Sequence, residues 1–224
     1  MWMALRDIGR ELPGDVRVVV VRGEGQSFSA GLDLTLVAAG DESEFGFPAL
    51  ARLPENEAAE RIAEFQEAFS WLRRPDLISV AAVQGHAIGA GFQLALACDL
   101  RVLASDAQLR MAEVTLGLVP DLGGTRRLVE LVGYARALEI CVTGRQVGAA
   151  EAERVGLANL VVAPEELAAA VDDLTAAVLA GPRDAVIEIK ALLAAAAGRD
   201  FPAQEAAERQ AQIRRIHDLM GIGD

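Results

Sequence analysis

Two short apolar runs, each broken off by glycine, set the strongest limit on how this chain can fold. "DVRVVVVRG" (Asp15 to Gly23) holds a β-branched run of the kind found in a strand buried on both faces of a parallel sheet. "LISVAAV" (Leu77 to Val83) is a second such run. Each feeds a turn of small residues, "GEGQSFSAGLDL" after the first and "GHAIGAG" after the second. The second turn leads directly into "FQLALACD", an apolar segment with helical spacing. Strand, glycine turn and helix in that order describe an α/β protein whose turns sit where a ligand can approach backbone N–H groups.

The remaining elements fit that frame. Ile62, Phe65, Phe69 and Leu72 recur at spacings of three and four and predict an amphipathic helix that ends before Pro75. "LRVLA" (Leu100 to Ala104) predicts a third strand and "QLRMAEV" a fourth. "GGTRRLVELVG" and "YARALEICVTG" read as two helices, each closed by glycine. "GAAEAERVG" is a short helix and "LANLVV" a last strand. From Pro164 onward the chain is helical and rich in alanine, with breaks at Gly181-Pro182 and Gly198. Residues 35–56, with glycine, proline and the acids Asp41, Glu42, Glu44 and Glu55 (Glu57 and Glu60 follow), read as a mobile surface loop.

Charge and composition exclude several function classes. The formal net charge of −12 argues against nucleic acid or anionic membrane as a partner, because phosphate contacts require a basic surface. Cys98 and Cys141 both lie in apolar helical patterns and read as buried small hydrophobes, not as a disulfide. With His86 and His217 as its only histidines, the sequence has no metal-ligand spacing. The opening "MWMALRDIGREL" lacks the apolar core of a signal peptide, and no apolar stretch has the length of a membrane span. A cytoplasmic protein is the expectation.

Three chemistries compete for the glycine turns. Gly23-x-Gly25 follows a strand as in a dinucleotide fingerprint, but Phe28 stands at the sixth position and no capped helix follows. "GHAIGAG" lacks the Lys and Ser/Thr of a phosphate-binding loop. An oxyanion hole needs two rigid backbone N–H groups converging on one oxygen. "SAGLD" and "GAGFQ", each following a buried strand, have the residue types to supply one donor apiece.

"SFSAGLDL", "VQGHAIGAGFQLALACDLRV" and "AEVTLGLVPDLGGTRRL", in this order and spacing, resemble the crotonase family of enoyl-CoA hydratases and isomerases. "TGRQVGAAEAERVGLANLVV" continues the resemblance. It implies a spiral of ββα units over residues 1–163 and an α-helical C-terminal trimerisation region over 164–224, assembled as a homotrimer or a dimer of trimers. It implies an extra strand before the equivalent of "DVRVVVV", where this sequence has "MWMALRDIGREL"; that segment helps hold CoA in the family. The expected substrate is a coenzyme A thioester, with no permanently bound cofactor.

Carried over by position, the Leu32 and Ala90 N–H groups would hold the thioester oxygen. Ser29, Ala30, Leu32 and Asp33 would line the CoA. Of the two glutamates of family hydratases, Glu113 is present and the other position holds Gln93, whose amide can orient water but does not titrate near neutral pH. Asp121, eight residues past Glu113, has the spacing of the second acid in dienoyl-CoA isomerases of the family. The ordinary alternative for Asp121 is to cap the helix that follows it. Phe45, Phe47 and Phe92 are candidates to line an acyl pocket, and Arg126 and Arg127 are expected to pair with acids. Three functions follow: an enoyl-CoA isomerase using Glu113 and Asp121, a hydratase using Glu113 with Gln93 orienting water, or a non-catalytic acyl-CoA-binding protein.

Overall fold

The computed structural model describes residues 1–34 and 46–222. Helix α1 (Trp2–Glu11) precedes strand β1 (Val18–Arg22). Helices α2 (Phe47–Leu50) and α3 (Glu55–Ser70) lead, through a 3-10 turn at Trp71–Arg73, to β2 (Ile78–Val83) and β3 (His86–Ile88). Helix α4 (Ala90–Ala97), β4 (Leu100–Ala104) and β5 (Gln108–Arg110) follow, then a 3-10 turn at Glu113–Leu116. Next come α5 (Gly124–Val132), α6 (Tyr134–Thr143), β6 (Gln146–Gly148), α7 (Ala149–Arg154) and β7 (Leu160–Val162). Three helices, α8 (Leu167–Ala180), α9 (Arg183–Ala196) and α10 (Phe201–Met220), close the chain.

The strands form two sheets. One is parallel throughout, in the order β1-β2-β4-β7; the other, β3-β5-β6, pairs β3 and β5 parallel and β5 and β6 antiparallel. An apolar β2 suits the centre of the first sheet: Ser79 to Val83 are all buried. The main core gathers α3, α4 and α5 with Phe28, Leu103, Leu109 and Met111. A smaller core on the other face of the parallel sheet joins Val80, Ala82 and Val102 to Val171 of α8.

Several expectations are corrected. β1 runs from Val18 to Arg22 and lies at the sheet edge, so it is not buried on both faces; Val20 is 39% exposed. The strand expected over "QLRMAEV" stops at Arg110, and Glu113 opens a 3-10 turn instead. Part of the expected loop is helical: Phe47–Leu50 forms α2, and Glu55 and Glu57 sit in the first turn of α3, where a helix N-terminus favours acids. Asp41, Glu42, Glu44 and Phe45 lie outside the described residues. The N-terminal segment forms a helix whose Trp2 packs edge-on against Phe65 (5.3 Å between ring centres) and Phe69 (6.0 Å).

One buried and one half-buried cation fasten the layers. Arg101 of β4 donates to the carbonyls of Leu157 (2.6 Å) and Cys98 (2.7 Å) and so meets the C-terminal end of α4, where carbonyls lack helical partners. Its burial pulls the guanidinium down to about 10. Lys190 of α9 donates to the Leu77 carbonyl and to Asp99, both at 2.7 Å, tying the C-terminal helices to the sheet. Among the described residues no helix is long and apolar enough to cross a membrane, and no cluster of three potential metal ligands occurs.

Candidate active site

The two glycine turns meet. Ser29 forms a parallel bridge with Ala87, donating its N–H to His86 (2.9 Å) and accepting from Ile88 (3.0 Å). Gly31, at φ +85°, lies against β3: a side chain there would place its Cβ 2.3 Å from the Ile88 carbonyl and 3.7 Å from the Ala90 nitrogen. Gly91 lets α4 approach equally closely, since a Cβ there would meet Ser29 Cβ at 2.6 Å. Leu32 follows Gly31, and Ala90 opens α4, so the Ala90 N–H has no acceptor within its own helix. The structure thus brings the turns bearing Ser29, Ala30, Leu32 and Asp33 alongside the one bearing Ala90.

Glu113 lies beneath the second turn. Its Oε1 sits 3.4 Å, and its Oε2 3.9 Å, from the position a Cβ on Gly89 would take. The residue is 9% exposed. Burial pushes its carboxyl above the usual range; its own backbone N–H and the Gln93 amide oppose that, and the charge of Asp121 adds to it. Oε1 accepts from Gln93 Nε2 at 2.7 Å, while Oε2 is buried with no partner among the described residues.

Gln93 is 1% exposed, and its amide is engaged at both ends. Oε1 accepts from the N–H groups of Leu122 (2.9 Å) and Gly124 (3.3 Å). Two backbone donors at the oxygen fix the amide orientation and turn the nitrogen toward Glu113. Gln93, from α4, therefore caps the N-terminus of α5. Asp121 does not: the N-cap position is Gly123, and no side chain there caps the helix.

Asp121 stands at the rim. Solvent reaches it, yet the protein around its carboxyl crowds it enough to push its pKa up. Its carbonyl accepts from Gln66 Nε2 of α3 at 2.6 Å. Sequence patterning gave no sign of Gln66, which lies off the apolar face of α3; a side-chain-to-loop contact of this kind has no local signature.

The remaining side chains singled out by the sequence differ in burial. Phe92 is wholly buried in the main core. Phe47 is half-buried in α2. His86 is exposed. Arg126 and Arg127 pair with Glu130, as expected. Cys98 is buried, whereas Cys141 is half-buried, and burial pushes both thiols up, Cys98 to about 12.

The sequence profile of the family described as enoyl-CoA hydratase/isomerase matches residues 6–220. YngF of Bacillus subtilis, named for that family, is 34% identical over 191 residues, 85% of this chain and 68% of YngF. The crotonyl-CoA hydratase of Syntrophomonas wolfei is 38% identical over 153 residues, 68% of this chain and 54% of that enzyme. Among solved structures, a Thermobifida fusca YX protein described as an enoyl-CoA hydratase matches with a TM-score of 0.92 and 51% identity, over 99% of this chain and 84% of that one, in complex with CoA. The same protein with acetoacetyl-CoA matches with a TM-score of 0.89. The profile spans nearly the whole chain, the two sheets with their helical surround match those solved structures, and the chain belongs to the enoyl-CoA hydratase/isomerase family, the crotonase superfamily.

Proposed function

We propose that this protein acts on acyl-CoA thioesters and moves a double bond of an enoyl- or dienoyl-CoA by carboxylate-mediated proton transfer. The observation that carries this reading is the engagement of Gln93: its amide holds Glu113 and the start of α5, which leaves Glu113 and Asp121 as the acids of the site. The thioester oxygen accepts from the Leu32 and Ala90 N–H groups. Glu113 takes a proton from a carbon of the acyl chain, the C–H electrons pass into the thioester enolate, and the enolate collapses as Asp121 or Glu113 returns a proton at another carbon. Preorganised donors favour the enolate over the neutral ground state. Ser29, Ala30, Leu32 and Asp33 contact CoA in this reading. The substrate is the sole cofactor-like molecule, and the assembly is a homotrimer or a dimer of trimers.

The similarity to a crotonyl-CoA hydratase supports a second reading, in which Glu113 alone does the acid–base work of water addition while Gln93 orients the water. Incubation with crotonyl-CoA and with a 3-enoyl-CoA in deuterated water separates the two. Isomerisation should predominate, fall by about 10³-fold in Glu113→Gln and by about 10²-fold in Asp121→Asn, as expected for lost acid–base groups. Fast hydration of crotonyl-CoA, lost in Glu113→Gln but indifferent to Asp121→Asn, would overturn the isomerase in favour of the hydratase. Binding without deuterium exchange would point to a non-catalytic acyl-CoA-binding protein.

A further inference from the structure

We propose that Gln66 of α3 is a positioning residue for Glu113, acting through a one-way chain of hydrogen bonds that crosses the Asp121–Leu122 peptide and Gln93. This deepens the reading of Glu113 as the proton-transferring group and rests on it for its catalytic meaning.

The chain has three links. Gln66 Nε2 donates to the Asp121 carbonyl at 2.6 Å. The N–H of the same peptide group, that of Leu122, donates to Gln93 Oε1 at 2.9 Å. Gln93 Nε2 donates to Glu113 Oε1 at 2.7 Å. All three amides therefore donate in the same direction, and the series ends on a carboxylate oxygen. Each donation polarises the next amide, so the last one is strengthened toward the charged form of Glu113.

Two consequences follow for the site. The chain holds Oε1, so that Oε2, buried and without a partner among the described residues, is the oxygen left to receive a proton. It also grips the Asp121 peptide from both sides, which fixes the backbone from which the second acid projects. Gln66 is not needed for the core: α3 contributes Phe65, Ala68 and Phe69 there, while Gln66 is exposed.

Among the described residues, the ionisable groups bearing on Glu113 are Asp121, from the loop before α5, and the Cys141 thiol of α6; α4 carries no ionisable side chain. At the outer end of the chain, Glu67 pairs with Arg10 and Glu64 with Arg61, and Arg73 reaches toward Gly123. A neutral substitution at Gln66 leaves these charges in place.

The test is the titration of Glu113 in the full chain, followed by NMR of 13C-labelled glutamate carboxyls with the Glu113 signal assigned from Glu113→Gln. In Gln66→Met the midpoint should rise by about half a pH unit, a threefold change in proton affinity. The acid limb of the deuterium-exchange rate should move with it, while KM and melting temperature stay near those of the parent. Gln66→Lys keeps a donor and should return the midpoint to the parent value or below. An unchanged Glu113 midpoint in Gln66→Met overturns the chain, as does a rate loss of equal size at every pH. If Glu113→Gln retains full activity, the catalytic reading of Glu113 fails, and the NMR titration still decides the chain by itself.

Discussion

At position 93 the side chain accepts two backbone N–H groups with one atom and donates to a carboxylate with another, and a carboxamide of this length does both without carrying charge. That explains why a glutamine suits the place where hydratases of this family have an acid. A glutamate there would still satisfy Leu122 and Gly124, but its second oxygen would face Glu113 Oε1 at the 2.7 Å now spanned by a donor. Two carboxylates so close cannot both ionise cheaply and share a proton instead. Burial already holds the Glu113 pKa above its ordinary value, so a base at this position loses activity as pH falls through that raised pKa. In Gln93→Glu the acid limb of the exchange rate should move upward by at least about one pH unit, because a like charge disfavours ionisation. A profile that superimposes on the parent would show that the amide donor has no hold on Glu113.

Among the elements, the short helix α4 carries the heaviest geometric demand, because its first turn must touch the Ser29–Leu32 turn. Gly91 makes that contact, and its φ is not in the left-handed region, so Gly91→Ala is a wedge with little backbone strain. The added Cβ would meet Ser29 at 2.6 to 2.8 Å and force the two turns apart. If they supply the oxyanion donors, kcat should fall by about 10²-fold, the usual consequence of losing one donor. KM should change less, as measured by steady-state kinetics on a 3-enoyl-CoA. An unchanged kcat would remove the α4 N-terminus from the chemistry. The same scale shows what the sequence could and could not disclose. The period of Ile62, Phe65, Phe69 and Leu72 marked α3, because periodicity reports one buried face, whereas the Leu100–Ala104 strand was legible to the residue as a short, mostly apolar run buried on both faces. Strand β6, three residues long, is too brief for any period to register. Glu113 and Asp121 were singled out only through the family resemblance of their segment, and the cap of α5 by Gln93 and the grip of Gln66 on Asp121 join residues 31 and 55 positions apart and have no local trace.

Across the whole molecule, the last two helices are the ones that bury least of their own length while leaving large apolar side chains exposed. No residue of α9 is buried, and α10 buries Ala211 alone; Leu193 and Leu219 are 71% and 78% exposed. A groove of about 430 Å³ between α9 and α10, lined in part by Ile189 and Leu192, shares no residue with the Glu113 site. Ion pairs of Arg214 with Glu188 and of Arg215 with Asp184 hold α10 on α9, and Lys190 anchors α9 to Asp99. Polar contacts thus help hold the pair to the sheet while Ile189, Leu193, Ile213, Ile216 and Leu219 face outward. A trimer would bury them, and burial of apolar area is the main driving force for such association. Sedimentation of the purified chain should give three times the monomer mass or a multiple of it. Leu193→Glu combined with Leu219→Glu should shift the protein to monomer, because each new carboxylate would have to lose water at the interface. A parent protein that sediments as a monomer at micromolar concentration would refute the assembly, and a trimer that survives both substitutions would place its interface on another face.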